Sequence, residues 1–97
     1  MKESDTRKAL KARVEAYGGE IRAVSWLGRR HAPDVLYLFP EGSAGDRNGI
    51  HGFIETKAPG GHPNEGQLRE HQRMRAAGCT VLVISTIGQL DAWLPPL

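Results

Sequence analysis

A chain of 97 residues has room for one domain around one modest core. Its single cysteine excludes a disulfide framework, and no stretch resembles a basic-then-apolar leader or the roughly 20 apolar residues of a membrane span. Net charge is only +2, but residues 1–31 hold eight Lys or Arg against four Asp or Glu, so a basic flank adjoins an acidic centre. That distribution suits a nucleic-acid enzyme with a cation pocket, and equally an ordinary solvated surface.

"SDTRKALKARVEAYGG" predicts a helix, because Leu10, Val14 and Tyr17 recur at i, i+4 and i+7 and Gly18-Gly19 supplies the stop. Extending the stripe backwards reaches Thr6 or Arg7 and then Glu3, whereas Glu15 stands about 100° off it. "EIRAVSW" reads as a strand, followed by the basic turn "GRRH".

"DVLYLF" and "IHGFIETK" read as two strands of an antiparallel hairpin, joined by the turn chemistry of "PEGSAGDRNG", in which Asn48-Gly49 is the strongest signal. Pairing Phe39 with Ile50 sets Leu36 opposite Phe53 and Asp34 opposite Glu55, and strand alternation adds Lys57 to the same face. "NEGQLREHQRMRAAG" is a second helix with Asn64 as N-cap. "CTVLVIS" is a buried strand in which Cys79 serves as a small core residue. "TIGQLDAWL" closes the chain as a short helix with Thr86 and Gln89 in capping-box spacing. The order is α-β-β-β-α-β-α in one domain, residues 1–97.

Two carboxylates about 4 Å apart repel by roughly 4 kcal/mol at an effective dielectric near 20, so a cation must offset them. Lys57 supplies one charge. A hard divalent ion, Mg²⁺ or Mn²⁺, does better, and it can activate water while stabilising charge on a phosphoryl oxygen.

Pro33-Asp34 followed by Glu55-Thr56-Lys57 resembles the PD-(D/E)xK nuclease motif. More narrowly, Glu3, the turn Gly28 to His31, Pro33-Asp34, Ile54 to Lys57, Gly60-Gly61, Gln67 and Ala76 to Gly78 occur in the order of the virus-type replication-repair nuclease (VRR-NUC) domain. The resemblance runs from about residue 3 to 84. It implies an α/β fold (α+β mixed sheet): a restriction-endonuclease-like αβββαβ core with a short C-terminal helix. It also implies a metal-dependent phosphodiesterase in which Asp34, Glu55 and the Thr56 carbonyl bind Mg²⁺ or Mn²⁺ and Lys57 serves the attacking water. Glu3 corresponds to the acid of the family's first helix and is a further metal ligand, with Glu15 the rival if the helix starts late at a Ser4 cap. Gln67 matches a glutamine placed beside the metal site.

Each residue also has a structural reading. Asp34 could belong to a turn, Glu55 with Lys57 to a solvated pair, and Gln67 to a capping box at N3 of an Asn64 cap. Arg29, Arg30 and His31 are candidates to hold DNA phosphates, as are Arg69 and Arg73, which share a helix face; a solvated surface accounts for them as well. The four histidines lack any zinc-ligand context. The expected protein is therefore a cytoplasmic, bacterial or phage-encoded DNA endonuclease. The alternative is a non-catalytic nucleic-acid-binding or assembly module with a vestigial site. Stand-alone members of the resembling family suggest a homodimer cutting branched DNA such as four-way junctions, because two opposed incisions need paired sites. The apolar end "LDAWLPPL" is consistent with a partner surface, or with Trp93 and Leu94 capping the monomer's own sheet.

Overall fold

The computed structural model describes residues 2–97. Helix α1 spans Glu3–Ala16 and starts before Ser4, because the Lys2 N–H donates to the Asp5 carboxylate at 2.8 Å. The predicted stripe holds: Thr6, Leu10 and Val14 are buried, and Tyr17 follows at the C-cap. Strands β1 (Glu20–Ala23), β2 (Val35–Leu38) and β3 (His51–Thr56) are antiparallel neighbours, and β4 (Val81–Ile84) joins β3 in parallel after helix α2 (Glu65–Ala76). Helix α3 (Ile87–Trp93) closes the chain.

Alternation along the strands sorts the two faces of this sheet. Val35, Tyr37 and Ile54 point to one face and form the core with Leu10, Val14, Tyr17, Phe39, Ile84, Leu90 and Leu94, so α1 and α3 cover that side. The opposite face carries Leu36, Phe53 and Glu55; Trp26 packs on Phe53 at 5.4 Å between ring centroids, and α2 lays His71 against Glu55.

Of the terminal apolar residues, Trp93 and Leu94 pack onto this core, while Leu97 is exposed. Trp93 meets the Tyr37 ring edge-on at 5.0 Å, Leu94 is fully buried, and the Tyr17 hydroxyl and Arg13 bind the carbonyls of Pro95 and Leu94. Cys79 is only half-buried, since β4 begins two residues later at Val81, so it is not a core member. Thr86 caps α3 as expected, accepting from the Gln89 N–H, but the Gln89 side chain accepts from Ser85 and so completes no capping box with Thr86. No helix among the described residues is long and apolar enough to cross a membrane.

Candidate functional site

The predicted register is the observed one. Val35 pairs with Ile54 and Leu36 with Phe53, and the Phe39 N–H donates to the Ile50 carbonyl at 2.7 Å. Continued one step past the last observed pair, this register sets Asp34 against Glu55. The Asp34 backbone is turned towards β1, where its carbonyl accepts from Val24 at 2.9 Å. Asp34 and Glu55 thus form a non-hydrogen-bonded pair, the kind in which facing side chains stand closest. One step further the same register would bring Thr56 to Pro33, which has no N–H to donate into a ladder.

Arg7 reaches over this end of the sheet from α1. Its Nη2 donates to Asp34 Oδ2 at 2.8 Å and to Thr56 Oγ1 at 3.1 Å, while Asp34 Oδ1 is enclosed with no donor. Glu55 is only 6 % exposed. Its pKa is pushed up to about 7, chiefly by burial and next by the charge of Asp34; Lys57 pulls it back, Glu3 adds to the rise and Arg7 opposes it. Four charged groups, two on α1 and two at the ends of β2 and β3, therefore act at one carboxyl group. Glu3 belongs to this field, whereas Glu15, at the far end of α1, bonds Lys11 at 3.2 Å. Among the described residues no three His, Cys, Asp or Glu side chains gather closely enough to hold an ion by themselves, so Glu3 does not form a third carboxylate beside Asp34 and Glu55.

The second helix supplies what lies beneath. His71 is fully buried, with Nε2 3.5 Å from Glu55 Oε1, and neither ring nitrogen has a hydrogen-bond partner. Its pKa is lowered, first by burial and then by the charges of Arg75 and Lys57, which keeps the ring neutral at physiological pH. One residue earlier, Glu70 is buried between Arg29, whose Nε donates to it at 2.8 Å, and Arg73, whose Nε donates at 3.0 Å. The Arg29 hydrogen bonds, ahead of the opposing cost of burial, hold the Glu70 pKa down at about 2.

The proposed basic residues thus divide. Arg29 and Arg73 converge on Glu70, and Arg69 stands 4.0 Å from Glu65 on the exposed side of α2. Arg30 and His31 are exposed on the turn, and among the described residues His31 alone of the non-glycines has a positive φ, at 69°. Gly66 on α2 leaves room for the His31 ring, since a Cβ there would come within 2.7 Å of it. Gln67 completes the capping box: its N–H donates to Asn64 Oδ1 at 2.8 Å and its Oε1 accepts from the Asn64 N–H at 2.9 Å.

Sequence reasoning missed Arg7, Glu70 and His71. Arg7 was reachable, as it follows Glu3 by four residues on the helix face leading into the site. His71 stands four residues after Gln67 on one face of α2, but a polar residue at an inward position carries no sign of what it meets.

A mixed four-stranded sheet with α1 and α2 on opposite faces, and with acidic side chains facing one another at the mouth of its central hairpin, is the restriction-endonuclease-like nuclease fold. A solved structure described as a "VRR_NUC domain" superposes with a TM-score of 0.78 and is 37% identical, covering 93% of this chain and 90% of its own. The protein named "Putative nuclease p44" from Acyrthosiphon pisum secondary endosymbiont phage 1 is 37% identical over 86 residues, which is 89% of this chain and 85% of that protein. No family model matches the sequence. At that identity and coverage the chain belongs to the VRR-NUC family of nucleases.

Proposed function

We propose that this nuclease is a Mg²⁺- or Mn²⁺-dependent DNA endonuclease of the PD-(D/E)xK type that acts as a homodimer on branched DNA. The observation that carries the reading is the pairing of Asp34 with Glu55, with an Asp34 oxygen enclosed without a donor and the Lys57 charge close enough to act on Glu55 and His71. Burying the Glu55 carboxyl group beside the charge of Asp34 is costly unless a cation shares the site, and Arg7 reaches Asp34 only at Oδ2. This donor set fits a hard divalent ion, which binds through one or two carboxylates and retains waters.

Asp34, Glu55 and the Thr56 carbonyl would hold the ion, which when bound supplies an activated water and a polarised phosphoryl oxygen. Lys57 orients the water and favours its deprotonated form. Glu3, on the first turn of α1, enlarges the negative field that attracts the cation. Gln67 holds the start of α2, and so fixes the helix whose next turn carries Glu70 and His71. Arg30 and His31 meet phosphates, with Arg69 and Arg73 on the adjoining face of α2.

Homodimer and junction preference rest on symmetry. Two opposed cuts in a four-way junction need two sites related by a two-fold axis, and one small domain has one site. Trp93 and Leu94 lend this no support, being used internally.

Incubating the protein with supercoiled plasmid and with a four-way junction, in Mn²⁺ and then in excess chelator, tests the reading. Metal-dependent cutting that prefers the junction is expected. Undiminished cutting in chelator would remove the metal assignment. Equal rates on linear and branched duplex, or sedimentation of a 10.6 kDa species alone at micromolar concentration, would remove the junction-cutting dimer.

A further inference from the structure

A fully buried histidine with two unpartnered nitrogens is an expensive core residue. Each enclosed polar atom without a partner has given up its hydrogen bonds to water and gained none in return, a heavy cost for so small a domain. Leucine or methionine would fill the same space without that cost. His71 has this position, and its Nε2 faces the one Glu55 oxygen, Oε1, that is likewise enclosed and unpartnered. The 3.5 Å between them exceeds an ordinary N–H···O length by about 0.5 Å, within reach of a small side-chain adjustment. Among the described residues no other hydrogen-bonding group meets Oε1, and the histidine is the donor nearest to it.

We infer that His71 is a positioning residue for Glu55: as the Nε2–H tautomer it donates to Oε1 and turns Oε2 outwards, beside Asp34, where a divalent ion binds. The inference rests on the proposed metal-dependent reading and adds a role for a residue that touches neither ion nor substrate. The geometry supports it from both sides. Lys57 and Asp34 act on Glu55 from the open end of the sheet, and His71 closes the carboxyl group from below, through the layer of α2. The cluster Arg29–Glu70–Arg73 pins the same turn of α2 to the β1–β2 connection, so the imidazole is carried on a helix anchored next to the site. Partners that orient a metal-binding side chain commonly change metal affinity about 10–100-fold when lost.

The test compares His71→Leu, which removes the donor, with His71→Gln, which retains an N–H. Mn²⁺ affinity is read by calorimetry, kcat and KM are read on plasmid, and the tautomer is read by nitrogen NMR of labelled histidine in the wild-type protein. His71→Leu is expected to fold, to bind Mn²⁺ at least tenfold more weakly, and to lose kcat with KM for DNA unchanged. His71→Gln is expected to stay within about threefold of wild type, a rescue that a merely space-filling role would not produce. His71→Met replaces the leucine variant should that one not fold. Wild-type Mn²⁺ affinity in a folded donorless variant, or an Nδ1–H tautomer at position 71, would overturn the inference while leaving the metal-dependent reading intact. A wild-type protein that cuts DNA without binding Mn²⁺ would overturn that reading and this inference with it.

Discussion

Glu55→Gln separates the cost of the site from its use. In the folded protein the Glu55 pKa is about 7, against an ordinary value of 4.5. A carboxyl group whose pKa is raised on folding binds its proton more firmly in the native state, so its penalty is absent below about pH 4.5. It grows as pH rises and is complete above about pH 7. With roughly 1.4 kcal/mol for each pH unit between those values, the full penalty is about 3 kcal/mol. Glutamine has the same shape and no charge, and therefore escapes it.

In chelator at pH 8.5 the variant should exceed wild type by about 3 kcal/mol, on the order of 15 °C in Tm for a domain of this size. At pH 4.5 the two should nearly coincide. Urea unfolding at both pH values, followed by far-UV circular dichroism, gives the difference directly. Under the proposed metal-dependent reading, Mn²⁺ at pH 8.5 reverses the order once it reaches about 1,000 times its Kd, where it adds about 4.1 kcal/mol to the wild type alone, more than the penalty. Activity should fall to background in the same variant. A stability difference that is constant with pH, or a variant less stable than wild type at pH 8.5 in chelator, would refute the burial and charge-repulsion account of Glu55.

The other expectations follow from the partners of each residue. Lys57→Ala should lower kcat by about 10²–10³-fold with Mn²⁺ affinity nearly unchanged, because an ammonium that orients water coordinates nothing; calorimetry beside single-turnover kinetics checks this. Arg7→Ala removes the half-exposed counterion of Asp34, so in chelator the fold should lose no more than about 1 kcal/mol, while the Tm gain on adding Mn²⁺ should be larger than in wild type. Arg30→Ala should weaken DNA binding about equally across sequences and reduce the slope of log affinity against log salt by about 1. Arg29→Ala should also lower Tm, since it strips Glu70 of its bidentate partner, and that loss should shrink in a Glu70→Gln background.

The fold was legible where a periodic pattern met a punctuating residue. Leu10, Val14 and Tyr17 marked the buried face of α1, and the hairpin register followed from aligning Phe39 with Ile50. Boundaries were less so. The strand expected from Glu20 to Trp26 ends at Ala23, because the chain leaves the sheet to carry the basic turn; Trp26 survives as an anchor whose Nε1–H donates to the Pro33 carbonyl at 2.7 Å. Trp93 shows the opposite limit. An aromatic residue near a terminus has the same composition whether it faces a partner or its own sheet, and only the return of α3 over Tyr37 and Phe39 decides.

Within the site, the residues that the register alone brings together were readable and those that arrive from another layer were not. Asp34, Glu55 and Lys57 share one sheet face by the two-residue period, so pairing two strands was enough to place them. Arg7, Glu70 and His71 come from helices, and their positions depend on how α1 and α2 dock, which hydrophobic patterning fixes poorly here. The residues that α2 buries are Glu70 and His71, while its Leu68 is 47% exposed. A search for the apolar stripe of such a helix turns its face the wrong way. What holds α2 in place is the Arg29–Glu70–Arg73 cluster on one side and the Asn64–Gln67 capping box at its start. The polar docking of α2 and the burial of His71 against Glu55 are thus one arrangement: the helix is recruited to the sheet by charge because the sheet face it covers contains a carboxyl group that an apolar helix could not serve.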